Sequence, residues 1–423
     1  MRKQRRFSLL VLVVLVGVLL ASALVSAETV TLTLGSWRVD DVEQVNRLLD
    51  AFHKSHPDIR IRFNPTNPPD YNAVLRTQLT GGTGPDLMYV RSFKVGQDLF
   101  AEGYLEPLTG LEGLEENFSV GSRAAWSLND VPFAVPFMAV SHGIYYNVDL
   151  FKKHNLEIPQ TWEELLQVAE TLKAAGVIPF SNGSKDEWDM NEIVFMNLLP
   201  NFIGGREARL EYETGEVPFN DAKMVSAFKA LQDIAPYLPP GQEGVSYYDA
   251  QQLFLLGRAA MFFGGSWDVA FFVSSEPDFE WSVFATPAPE GRPTVVTFHP
   301  DAGLGLNSAS PHKEAGLKFL TWLTTVEAAQ ILADEIPGFY PLNQTSITLQ
   351  DKHANDFYAL HEGKDVDARF VWPELQSGDP DGYLLTQTAA LAVVKGSMTP
   401  EEAADYLQEG LETWFTPTQK FKK

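Results

Sequence analysis

The chain has 423 residues, 45% of them hydrophobic, with no cysteine and 55 acidic against 32 basic side chains, a net charge of −23. Lacking cysteine, it cannot form disulfides, iron–sulfur clusters or a cysteine-linked lipid anchor. So acidic a surface argues against nucleic acid and anionic membranes, both of which need Lys/Arg patches.

Read in chain order, the first element is an address. Arg2, Lys3, Arg5 and Arg6 precede the apolar run Leu9–Leu20, and small residues follow up to Val25-Ser26-Ala27. This predicts a secretory signal over 1–27, cut before Glu28. Extended through Val25, the same run would serve instead as an uncleaved anchor. No later segment has the length and apolarity of a membrane span. The exported part, with four fewer positive charges, carries a net charge near −27 and is long enough for two or three domains.

Thr29–Leu34 alternates polar and apolar residues as a strand does. A helix is predicted over about Asp41–Lys54, with Val42, Val45, Leu48, Leu49 and Phe52 on one face. Ile59–Phe63 alternates again, Asp70–Thr80 reads as a helix, Leu87–Val90 as a strand and Lys94–Glu102 as a helix. This succession predicts a parallel sheet covered by helices. Ligands of such sheets sit beyond the carboxyl ends of the strands, which brings forward Trp37, Arg38, Arg91, Ser92 and Phe93. Trp37 is equally a core residue, and Arg91 equally a surface ion pair.

Val131–Tyr146, apolar and proline-punctuated, reads as two extended pieces that carry the chain between domains. A helix starts at Thr161, which with Glu164 forms a predicted capping box, and it ends before Gly176. Ile178–Phe180 is a short strand, followed by a polar loop with Glu187 and Trp188. Helices are predicted at Asn191–Leu199, Ala222–Ile234 and Tyr248–Leu256. The run Gly257–Asp268, GRAAMFFGGSWD, ends a strand in two glycines that present Trp267, either as a lid on the core or as a flat surface for a ligand. Asp268 either binds a ligand or caps the next helix. Trp281–Thr286 and Val295–Leu306 look extended, Pro311–Asp334 is a helix pair, and the rest reads as helices separated by Ser377–Gly382.

Catalytic signatures are missing: no HExxH, no Walker A loop, no GxSxG elbow. The loop Gly81–Gly84 is followed by Pro85-Asp86 rather than a lysine, and Asp379–Gly382 lacks the glutamate of an EF-hand loop. No metal or cofactor site is expected. Carboxylate pairs for glycoside hydrolysis are guaranteed by number alone and are no positive sign.

Several segments, in this order and spacing, resemble the family 1 extracellular solute-binding proteins, the sugar-binding components of ABC importers. They are GGTGPDLMYV at 81–90, IYYNVDLFKKHNLEIPQTWEELLQVAETLKAAGVIPF at 144–180, GRAAMFFGGSW at 257–267, GLGLNSASPHKEAGLKFLTWL at 303–323 and GFYPLN at 338–343. The resemblance covers nearly all of the exported chain. It implies an α/β, two-lobe type II periplasmic-binding-protein fold with the ligand between lobes joined by crossover segments. One lobe would comprise 28–140 and 302–343, the other 141–301 and 344–423. It further implies a non-enzymatic, cofactor-free, monomeric carrier that is secreted across the cytoplasmic membrane and works at the periplasmic or extracellular face. Such a carrier delivers a carbohydrate to ABC permease subunits.

Carried over position by position, the resemblance sets Trp267 where an aromatic stacks on a sugar. Glu187, Trp188 and Tyr383 fall at second-lobe contacts, Arg91 on the strand lining the first lobe, and Asp301 before the return strand. Trp37, Arg38 and Asp268 complete the expected ligand set, while Asp86 is expected to be structural. Side chains at these positions differ mostly from the maltose-binding pattern, so the sugar is left open. Trp and Tyr suit the apolar face of a pyranose, and Asp, Glu and Arg suit its hydroxyls. The alternatives are a secreted carbohydrate-active enzyme and a carrier for a non-sugar solute.

Overall fold

A computed structural model describes residues 29–369 and 373–422; the expected signal, 1–27, lies outside them. No helix among the described residues is long and apolar enough to cross a membrane.

The first three strands form as their alternation dictates. Val30–Ser36 pairs in parallel with Ile59–Pro65 on one side and Leu87–Arg91 on the other. Helices Val42–Ser55 and Pro68–Thr80 intervene, and Lys94–Ala101 follows the third strand. In the first of them Val45, Leu48, Leu49 and Phe52 are buried as the periodicity requires, whereas Val42, in the first turn, is exposed. Beyond Leu87–Arg91 the sheet ceases to be parallel, because its next neighbour Val295–Leu306 runs antiparallel to it. That strand arrives from the far end of the chain, so local pattern gave no sign of its direction.

Two long strands hold the molecule together. Val135–Asn147 and Val295–Leu306 pair antiparallel, with Phe298 opposite Ser141 and His299 opposite Val140. Every residue of Val135–Asn147 is buried, as expected of a strand covered on both faces. Its first half lies beside Val295–Leu306 and Tyr340–Pro341, and its second half pairs with Ala259–Gly265 and Trp281–Phe284. Ile178–Phe180 adds to Ala259–Gly265 in parallel and completes the curled sheet.

The described residues form two hydrophobic cores, one per lobe of this α/β fold. The first gathers side chains from Leu32 to Val140 and from Ala302 to Phe339; the second gathers Ile144 to Val296 and Tyr340 to Phe415. Each long strand contributes to both: Val135, Phe137, Met138 and Val140 to the first and Ile144, Tyr145 and Tyr146 to the second, with Val296 in the second and Ala302, Leu304 and Leu306 in the first.

Helices of the second lobe follow their signals with local exceptions. At Trp162–Ala174, Thr161 Oγ1 accepts from Glu164 N, but the Glu164 carboxylate accepts from Gln160 N at 2.7 Å, one residue before the expected partner. The segment predicted as one helix from Asn191 begins as a π-helical turn, Asp189–Phe195, and continues as Met196–Ile203. The charged helix Gly205–Glu213 has no apolar stripe that would have announced it.

Candidate functional site

The strand ends of both lobes converge on the seam between the cores. From the first lobe, Trp37 and Arg38 follow Val30–Ser36, and Arg91 ends Leu87–Arg91. Trp37 is buried edge-on to Tyr71 and Tyr89, and the Arg91 guanidinium lies 3.8 Å from the centre of its ring. The indole is thus core on one face and a cation platform on the other. Arg91 also faces Asp301, Nη1 to Oδ1 3.7 Å.

Asp301 owes its position to a β-bulge. The register of Val295–Leu306 against Val135–Asn147 shifts between Pro300 and Ala302, leaving Asp301 unpaired in the ladder and free to turn toward Arg91. Burial alone would raise its carboxyl pKa, but the polar contact from His299 and the charge of Arg91 prevail and hold it below the usual carboxylate range.

Arg38 is buried and donates to Asp41 at 2.5 Å, with Asp40 at 4.0 Å. Its Nη2 also reaches across the seam to the Trp267 carbonyl, 3.2 Å.

Trp267 occupies the centre. Half-buried, it packs against both cores, and it is edge-on to His142 at 5.0 Å. Its Nε1 donates to Tyr247 Oη at 2.7 Å, and Tyr247 Oη donates in turn to the Asp268 carboxylate at 2.6 and 2.7 Å. Gln251 supplies a further donor to Asp268 at 2.8 Å. Burial is the main reason the Asp268 carboxyl is pushed up to about 7; the hydrogen bonds from Tyr247 and the charge of Arg38 offset it only in part. Asp268 therefore neither caps the following helix by its side chain nor faces open space: it anchors Tyr247, which anchors Trp267. The sequence suggested that the glycine pair leaves the indole accessible. Instead, a Cβ on Gly265 would stand 1.9 Å from the Trp267 ring, so Gly265 is what lets the indole close down on its own strand.

Tyr383, near the start of helix Gly382–Val394, donates to Glu192 at 2.6 Å, and Arg369 holds the other oxygen of Glu192 at 2.7 Å. Trp188 packs on Tyr247 with ring centres 4.7 Å apart. Glu187 is exposed and accepts from Gln387 at 3.0 Å. Asp86 accepts from Thr33 N and Oγ1 and from Ser310, tying three segments of the first lobe together away from the seam.

The structure thus brings Trp37, Arg38, Arg91, Asp301, Trp267 and Asp268 to the seam; Trp188 joins them through Tyr247, Tyr383 stands within electrostatic reach of Arg91, and Glu187 is exposed on the second lobe beside Gln387. Sequence reasoning passed over Tyr247, Glu192, Arg369, His142 and His299. The two histidines carried one usable sign, a large polar residue within a strand rich in apolar ones. A separate cavity of about 120 Å³ lies in the first lobe, lined by Thr33, Arg62, Asn64, Tyr71, Gln78 and Thr83 among others. It shares none of the seam side chains and draws on one lobe only, so the seam is the better candidate. Among the described residues there is no group of three or more His, Asp or Glu able to hold a metal ion.

Comparison with known proteins agrees with the two-lobe fold. The profile of the family described as bacterial extracellular solute-binding protein matches residues 37–330. The multiple sugar-binding protein of Streptococcus mutans serotype c is 24% identical over 99% of both chains. The maltotriose-binding protein of Pyrococcus abyssi is 26% identical over 79% of this chain and 71% of its own. The solved complex of the binding protein RafE with raffinose superposes with a TM-score of 0.75 at 21% identity, over 92% of this chain and 100% of that one.

Proposed function

The chain belongs to the bacterial extracellular solute-binding protein family, and from that premise we propose that it captures an uncharged carbohydrate between its lobes and hands it to an ABC importer. One observation carries the reading. Trp267 sits where both cores meet, and each arginine of the site has a carboxylate partner, Arg38 with Asp41, Arg91 with Asp301 and Arg369 with Glu192, while the oxygens of Asp268 are taken up by Tyr247 and Gln251. A phosphate ester would call for a guanidinium with spare charge and a polyamine for a carboxylate with spare charge. Compensated pairs beside an indole suit a ligand with an apolar face and a rim of hydroxyls.

In this reading Trp267 and Trp188 bear on the sugar face, and Arg91, Asp301 and Tyr383 reach its hydroxyls. Trp37, Arg38 and Asp268 hold their neighbours in place, and Glu187 lies at the mouth. The lobes are 28–140 with 302–343 and 141–301 with 344–423; what supports this division is the membership of the two cores, from which Tyr340, packed in the second core, departs. Closure rotates one lobe on the other about the two long strands, and the sugar favours the closed form through contacts that both lobes make only there. The carrier works as a monomer outside the cytoplasmic membrane, its signal removed, and the permease subunits recognise the closed shape.

A thermal-shift screen with mono- and oligosaccharides tests the reading. A bound sugar raises Tm in a concentration-dependent way and is recovered unchanged. Hydrolysis of the sugar would point to the enzyme instead, and a panel without any shift would overturn the carbohydrate assignment.

A further inference from the structure

His142 and His299 stand on the two long strands where these pass from one core to the other, with ring centres 5.5 Å apart. They are 1% and 3% exposed, and none of their four ring nitrogens has a hydrogen-bond partner among the described residues. Asp301 Oδ1 lies 3.5 Å from His299 Nε2 without the alignment of a hydrogen bond. Burying unpaired polar atoms is costly, and an apolar side chain would fill either position without that cost. Here two such residues lie side by side, His142 touching the Trp267 indole at its edge and His299 next to the Asp301–Arg91 pair.

Resting on the carbohydrate reading above, we propose that His142 and His299 are ligand-contacting residues that form the floor of the cleft and exchange hydrogen bonds with hydroxyl groups of the sugar lying on Trp267. Burial, then the charge of the other histidine and of Arg369, holds His142 well below its ordinary pKa; burial, then Arg369, brings His299 down to about 4 despite Asp301. Each ring is therefore neutral at pH 7 and offers one donor and one acceptor. A hydroxyl offers both as well and is satisfied by either nitrogen. Neither neutral ring brings a charge that would offset that of a phosphate, a carboxylate or an ammonium taken out of water. The floor therefore selects uncharged polyols and discriminates sugars by where their hydroxyls fall.

The test starts with wild-type protein titrated calorimetrically with raffinose, maltotriose and chitin oligosaccharides. Whichever binds is repeated with its monodeoxy analogues and with His142→Phe, His299→Phe and the smaller polar changes His142→Asn and His299→Asn. We expect each Phe variant to lose about 10- to 100-fold in affinity, with unliganded Tm equal to or above wild type because the unpaired nitrogens are gone. The Asn variants should lose less. At least one monodeoxy analogue should bind wild type more weakly than the parent sugar yet bind a Phe variant equally well. If wild type binds a sugar and the Phe and Asn variants bind it with wild-type affinity, the histidine assignment is wrong while the carbohydrate reading stands. If no sugar binds wild type, the carbohydrate reading itself falls, and the assignment with it.

Discussion

Trp267 shows how one side chain acquires its role from others far away in sequence. Its indole is held from below by Tyr247 and Asp268 and closed against Gly265. Trp267→Ala is expected to weaken sugar binding by about 2–4 kcal/mol, as loss of a buried aromatic anchor does, while the protein still folds; calorimetric titration beside a melting curve separates the two effects. Asp268 gives a pH signature. Its carboxyl binds a proton more readily in the folded protein, at about 7, than an ordinary aspartate does, at about 4. The stability this contributes is full below pH 4 and is lost as the pH rises toward 7. Asp268→Asn cannot titrate, so its Tm relative to wild type should climb between pH 4 and pH 8; a constant difference across that range would refute the assignment. Buried His299 works in the opposite sense, losing stability as the pH falls from 6.5 toward 4, so the variant must be compared with wild type at each pH. Of this cluster only Trp267 and Asp268 stood out in the sequence, because glycines and a chain turn mark them locally. Tyr247 lies 20 residues away from Trp267 in the chain, and nothing in its own neighbourhood distinguishes it from a core tyrosine.

Elements were legible where signals are local. Thr399 and Glu402 form a reciprocal capping box at the start of Pro400–Glu412; Thr399→Ala should cost about 1 kcal/mol of stability and leave sugar affinity unchanged, by denaturant unfolding and calorimetry respectively. Gly265→Ala is a sharper case. The added Cβ would overlap the Trp267 ring, so the indole must leave its seat, and we expect affinity to fall toward that of Trp267→Ala with a loss of about 1–3 kcal/mol in stability. Wild-type affinity in Gly265→Ala would mean that the seated indole is not what binds. The elements that escaped sequence reading lack a local mark. The direction of Val295–Leu306 is set by a partner strand about 200 residues earlier in the chain, and the bulge at Asp301 exists only relative to its other partner, Val135–Asn147.

At the scale of the whole molecule, the lobes are joined by the sheet and by direct contacts such as that of Arg38 with the Trp267 carbonyl. A sugar that adds contacts across the seam should make the protein more compact. Small-angle scattering is expected to give a smaller radius of gyration with saturating sugar than without, and an unchanged value would exclude lobe closure as the response. That Val135–Asn147 and Val295–Leu306 donate side chains to both cores has a consequence for how the protein comes apart. Neither lobe can melt without withdrawing two strands from the other, so the pair should denature as one cooperative block, with a single calorimetric peak whose van't Hoff and total enthalpies agree. Cutting the chain between the lobes would not release two foldable halves, because each half would carry only part of the sheet that both require.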